Sequence, residues 1–222
     1  PAPEPEDILN RAYLHPFHED VIVNDYPLTA EPGTKYQYAN ANSELVAVLI
    51  ERATGKSYQD FLTQEVFTPL GAKGGTIWIN RPGGVVHAGC CVQLPADSYL
   101  RLGILLLQDG VWEGDRLLPE GYVNAMRTPT AENPFSGMGV FVPGPYEGPD
   151  FAEDSVARQF LRMPQAEPFD DAEIFYFDGN SNQTVYISQS EDLVILRTGS
   201  WPSQENPWDL SALPNMIMRG LD

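Results

Sequence analysis

Glu31-Pro32-Gly33-Thr34-Lys35-Tyr36-Gln37-Tyr38-Ala39-Asn40-Ala41-Asn42 is the stretch on which the reading of this chain turns. A Pro-Gly pair makes a turn, a short aromatic run follows, and the run ends in Tyr38-x-Asn40 where an apolar helix begins. A short loop is thus held between two fixed elements, a place from which proteins present reactive polar groups. The residues alone leave two readings open. Tyr38 can be a buried aromatic with one hydrogen bond, with Asn40 or Asn42 as a helix N-cap. Alternatively, both side chains belong to a site.

Outward from this stretch, composition narrows the classes. The 222 residues carry 31 acids against 13 bases, a net charge of −18 that repels nucleic acid and anionic membranes. Apolar content of 42% with 11% aromatics is that of a globular protein, and no run of 18 apolar residues offers a membrane span. Pro1–Glu6 has neither the basic nor the apolar region of a signal peptide and reads as an extended tail. Residues 1–30 are a tail and connector, and 31–222 form the main body. The two cysteines, Cys90 and Cys91, are neighbours. Neighbours can form a vicinal disulfide, but two buried free thiols are the expectation.

In chain order, Asp7–Leu14 is expected as a short helix. His15-Pro-Phe-His18 reads as two loop histidines, because Pro16 opposes the continuous helix that would align both rings on a metal. Val21–Tyr26 reads as extended. Ser43–Thr54 is a helix with Leu45, Val46, Val48, Leu49 and Ile50 as its buried face and Gly55 as its stop. Ser57 and Asp60 form a variant capping box for a second helix ending at Pro69. Thr76–Asn80 is a candidate strand, and His87 reads as structural. Helices are expected from Pro95 to Gln108 and from Leu118 to Arg127. Met138–Val142 is a candidate strand, and Ser155–Met163 a brief helix in an irregular, Pro- and Gly-rich region. Glu173–Phe177, Gln183–Ser188 and Leu193–Thr198 form an antiparallel meander, covered by a helix over Ser211–Arg219.

The Glu31–Asn42 string resembles the second motif of the serine β-lactamase and penicillin-binding-protein superfamily, in particular class C-like esterases and nylon-oligomer hydrolases. The resemblance continues through Leu45–Gly55, Tyr58–Gly71, Gly103–Pro119 and Gln183–Gly199, in the order and spacing of the family. It implies an α+β fold, an antiparallel sheet flanked by helices with a helical lobe. This chain would supply the C-terminal strands and part of the lobe. It also implies a hydrolase cleaving a small ester or amide through an acyl-serine intermediate, in a periplasmic or secreted setting, with no cofactor and no metal.

In that superfamily a serine of Ser-x-x-Lys attacks the carbonyl, because a hydroxyl needs a positioned base to become a nucleophile. The resemblance assigns Tyr38 the acid/base role and Asn40 substrate orientation. This chain contains no Ser-x-x-Lys: Ser155 is followed by Arg158, which cannot act as a base. The expectation is therefore a C-terminal portion, with the nucleophile on another segment or chain of the same protein. The alternative is a non-catalytic homologue that binds without cleaving. Relatives carry a third motif with a basic residue on an inner strand; the matching place here is Phe177-Asp178-Gly179-Asn180. Gly179 suits close backbone approach, and the Asn180 N–H would be an oxyanion donor. The loss of the cation there points away from penicillin-like carboxylates, towards neutral or amine-bearing substrates. The same residues also read as an ordinary β-turn.

Overall fold

A chain that pairs amphipathic helices with a run of short β-rich segments has two kinds of apolar surface to bury. The computed structural model describes residues 8–146, 148, 165–203, 205 and 208–221. The chain divides into two units, Pro1–Ser98 and Tyr99–Asp222. The expected tail at Pro1–Glu6 and the helix at Ser155–Met163 lie outside the described residues.

The first unit is helical. α1 (Ile8–Leu14) and α2 (His18–Asn24) pack with α3 (Asn40–Thr54) around Ala12, Val21, Ile22 and Ala41. The helix α2 replaces the extended segment expected at Val21–Tyr26. Its β-branched residues favour strand, but burial of Val21 and Ile22 against α1 and α3 overrides that weak preference. α3 turns a different face inward than expected: Ala41, Glu44, Ala47 and Val48 are buried, while Val46 and Leu49 are exposed. The stripe keeps helical spacing but includes a carboxylate. Gly55 ends α3 in the left-handed region, φ 70°, as a C-terminal glycine should.

Ser57 caps α4 (Tyr58–Leu62) by accepting the Asp60 N–H at 3.2 Å, and a π-helical turn (Thr63–Phe67) carries the chain on. The expected strand at Thr76–Asn80 is only a pair of isolated bridges, Thr76 with Gln93 and Ile79 with Val86. Gly75 is pressed against the Gln93 carbonyl, and Arg81–Gly84 turns at once, which leaves no length for a ladder. Cys90 and Cys91 are disulfide-bonded, contrary to the expected buried thiols. Cys91 is exposed, in the left-handed region at φ 70°, and Cys90 is half-buried.

In the second unit, β3 (Phe175–Gly179), β4 (Gln183–Ser188) and β5 (Leu193–Arg197) form the expected antiparallel meander. Its register pairs Tyr176 with Tyr186 and Tyr186 with Ile195. That row joins Phe135, Phe169, Leu210 and Met218 in one core, closed by α7 (Ala212–Arg219). The alternate row, Phe175, Val185 and Ile187, packs with Leu106 of α5 (Ala96–Leu107), the helix that crosses the division between units, and with Val123 of α6 (Tyr122–Met126). Period-two alternation with both faces covered explains why β4 is buried along nearly its whole length. Gly103 lets α5 approach: a Cβ there would stand 2.6 Å from Val194 Cγ1.

α6 starts at Tyr122 rather than Leu118, after Gly121 in the left-handed region. A small hairpin, β1 (Val111–Trp112) and β2 (Asp115–Arg116), precedes it. Met138–Val142 contributes two isolated bridges through Phe141, to Ser136 and to Tyr176, instead of a strand, because Gly139 at φ 75° breaks the run. Among the described residues no helix is long and apolar enough to cross a membrane.

Candidate functional site

The Tyr38-x-Asn40 loop is built as its sequence requires. Gly33, φ 80°, takes the left-handed position of a turn in which Thr34 N–H donates to Glu31 O at 3.2 Å. The chain then runs extended to Ala39, which is the N-cap residue of α3. Neither Asn40 nor Asn42 caps the helix. Asn40 is the first helical residue, and its Nδ2–H donates to the Tyr13 hydroxyl. Tyr38 is 58% exposed rather than packed in the core.

Beneath this loop lies a cluster that sequence reasoning did not assemble. Glu44, one helical turn beyond Asn40, is 3% exposed. Its Oε1 accepts from His87 Nδ1 at 3.1 Å, and its Oε2 lies 3.9 Å from His18 Nε2. His18 and His87 are themselves buried and stack with centroids 4.0 Å apart. Glu19 Oε2 stands 3.6 Å from His18 Nδ1, while Glu19 Oε1 accepts from Arg81 at 2.5 Å. Burial, then the neighbouring His87, pushes the His18 pKa below its ordinary value. Burial, then the Glu44 charge, raises the Tyr13 and Tyr58 hydroxyls. Gly89 abuts the same group: a Cβ there would meet Asn40 O at 2.7 Å and Glu44 Oε1 at 3.0 Å. The cluster joins positions 18, 44 and 87, so no local pattern could have shown it. A polar residue inside the apolar stripe of α3 was the one available signal. His18 is buried at the start of α2, not a loop histidine, and His15 is exposed. His87 is fully enclosed.

In the second unit, Asp178, Gly179 and Asn180 lie at the β3–β4 turn, where Gly179 pairs with Gln183 and Ser181 and Asn182 take positive φ. This turn is clamped. Arg197 Nη1 donates to Ser181 O at 2.6 Å and Asn182 O at 2.9 Å, and its guanidinium lies 4.9 Å from the Trp208 ring centre. Gln183 exchanges two bonds with Gly199, donating at 2.5 Å and accepting at 3.0 Å. Thr184 Oγ1 donates to Asp178 Oδ1 at 3.4 Å. Gly179 and Asn180 are exposed at this turn.

The sequence matches the Beta-lactamase family model over residues 19–195. It is 27% identical over 181 residues to the 6-aminohexanoate-dimer hydrolase of Paenarthrobacter ureafaciens, covering 80% of this chain and 43% of that protein. A 43-residue stretch is 44% identical to the D-aminopeptidase of Brucella anthropi, 19% of this chain and 8% of that one. Among solved structures, the putative 6-aminohexanoate-dimer hydrolase from Bacillus anthracis aligns with a TM-score of 0.64 at 21% identity, over 84% of this chain and 44% of its own. A putative beta-lactamase from Bacteroides dorei aligns with a TM-score of 0.59 at 14% identity, over 99% and 65%. The chain thus spans less than half the length of the two 6-aminohexanoate-dimer hydrolases it matches.

Proposed function

Because the chain belongs to the beta-lactamase family, and so to a family of hydrolases, we propose that it is the C-terminal part of a serine hydrolase acting through an acyl-serine intermediate. The nucleophile and its lysine base belong to polypeptide beyond these residues, since this chain has no Ser-x-x-Lys. Tyr38 serves as acid/base: a phenol can pass a proton between the attacking hydroxyl and the leaving group. The observation that carries this reading is the exposure of Tyr38 on a loop whose next polar residue, Asn40, is held by Tyr13. A phenol packed in apolar surroundings could not reach an incoming hydroxyl. Asn40 orients the substrate, and the clamped Asp178–Asn180 turn offers backbone N–H groups to an oxyanion.

The substrate is a small amide or ester. Relatives named 6-aminohexanoate-dimer hydrolase and D-aminopeptidase favour amides. Asp178 in place of a basic residue favours a neutral or amine-bearing molecule over an anionic one. The test is hydrolysis of p-nitrophenyl esters and matching anilides by the full polypeptide that carries this chain. Tyr38→Phe removes one oxygen and keeps the ring, so kcat/KM falls by about 10²–10⁴-fold. Unchanged turnover would remove Tyr38 from the mechanism. No turnover at all, together with measurable ligand binding, would favour the non-catalytic homologue.

A further inference from the structure

We propose that His18, Glu44 and His87 form a structural site for one divalent transition-metal ion, zinc being the chemical type, beneath the Tyr38-x-Asn40 loop. The proposal departs from the sequence expectation of no metal, and it stands independently of the acyl-serine reading. Two imidazoles and a carboxylate are a donor set that suits zinc and its neighbours in the transition series. One ligand atom from each residue lies within 4.8 Å of the others, and all three residues are buried. A tetrahedral zinc with bonds of about 2.0–2.2 Å spaces its ligand atoms roughly 3.3 Å apart. The observed 3.1 Å and 3.9 Å approaches to Glu44 bracket that value.

The second observation is unsatisfied polarity. His18 Nδ1, Glu44 Oε2 and His87 Nε2 are buried without hydrogen-bond partners, as are Glu19 Oε2 and Arg81 Nε beside them. Five such atoms in one small volume are costly unless a further species enters. A cation coordinated through His18 Nε2, Glu44 and His87 Nδ1 gives Glu44 Oε2 a partner and leaves His18 Nδ1 and His87 Nε2 as the outward nitrogens of the two ligand rings.

The surroundings also have the layout of an outer ligand shell. Glu19 Oε2 stands 3.6 Å from His18 Nδ1, placed to accept its N–H once the ring turns on uptake, which leaves the Nε2 lone pair for the ion. Arg81 holds Glu19 in place. Two rearrangements accompany uptake. The proton that His87 Nδ1 donates to Glu44 moves to Nε2, so the neutral ring turns its lone pair to the ion with no net loss of a proton. The stacked rings, inclined by 16°, also turn apart, because near-parallel imidazoles direct their lone pairs side by side. The site is sealed, so the ion's role is to tie α2, α3 and the His87–Gly89 turn together under Asn40.

The experiment uses the full polypeptide that carries this chain, stripped with chelator and reloaded with zinc or cobalt(II). Expected are one zinc retained per chain after removal of excess, a tetrahedral cobalt absorption band and a raised Tm. Affinity falls as pH is lowered, because protonated imidazoles and a protonated carboxyl cannot ligate. Glu19→Gln, outside the ligand set, lowers zinc affinity about 10–100-fold. Glu44→Gln abolishes the cobalt band. Tyr38→Phe leaves zinc binding unchanged, which separates this site from the hydrolytic reading. No retained zinc and no cobalt band in the folded protein overturns the proposal, as does a cobalt band that survives in Glu44→Gln.

Discussion

Gly89→Ala tests the seam between the His87–Gly89 turn and the start of α3. The added methyl would lie 2.7 Å from the Asn40 carbonyl oxygen and 3.0 Å from Glu44 Oε1. Comfortable contact lies near ~3.5 Å, so the carbonyl is overlapped by roughly 0.8 Å. Neither neighbour has an easy retreat. One is main chain in the first turn of a helix, and the other is the end of a buried side chain held by His87. Overpacking of this kind costs about 1–3 kcal/mol, and the stiffer unfolded chain returns about 0.4–1 kcal/mol of it. A net loss of about 1–2 kcal/mol lowers Tm by about 2–8 °C in a domain of this size. Because the displaced group is the backbone of Asn40, hydrolysis should fall more steeply than stability does. The assay is scanning calorimetry beside turnover, with Gly74→Ala as control, since a Cβ at Gly74 meets nothing within 4 Å. A Gly89→Ala protein as stable and active as the Gly74→Ala control would refute the described packing of this turn on Asn40.

The low pKa of His18 makes stability depend on pH in a stated direction. The unfolded chain protonates His18 near its ordinary 6.5, while the folded protein resists, so stability present above pH 6.5 is lost as pH falls towards the lowered folded value. Chelator-treated protein should therefore lose Tm as the pH is lowered from 7 to 5, and His18→Gln should flatten that slope; a slope unchanged by the substitution would show that another group is responsible. Arg197→Lys keeps the charge but loses the planar guanidinium whose Nη1 donates to both Ser181 O and Asn182 O while Nη2 donates to Ser200 O. It should destabilise by about 1–3 kcal/mol through unmet carbonyls, read from denaturant unfolding, and should raise KM if the β3–β4 turn meets substrate.

Much of the architecture was written locally. The Pro32-Gly33 turn, the Ser57 cap, Gly55 at the end of α3, and the three β-rich runs are each decided by neighbours a few residues apart. Backbone sterics and side-chain period act at that range, so pattern alone found them. Order and spacing of the same pieces carried the family, and the family model spans residues 19–195. The errors lie where distant burial outvoted local preference. α2 is helical despite Val21-Ile22-Val23, because two of those side chains fill a core shared with α1 and α3. The inner face of α3 could not be chosen from a sequence apolar on several sides, and its buried Glu44 has meaning only beside His18 and His87. Bonding between Cys90 and Cys91 likewise depends on how their turn is set. Periodicity names which elements form; convergence of residues tens of positions apart, governed by packing and by the need to satisfy buried polar atoms, settles which side chains meet.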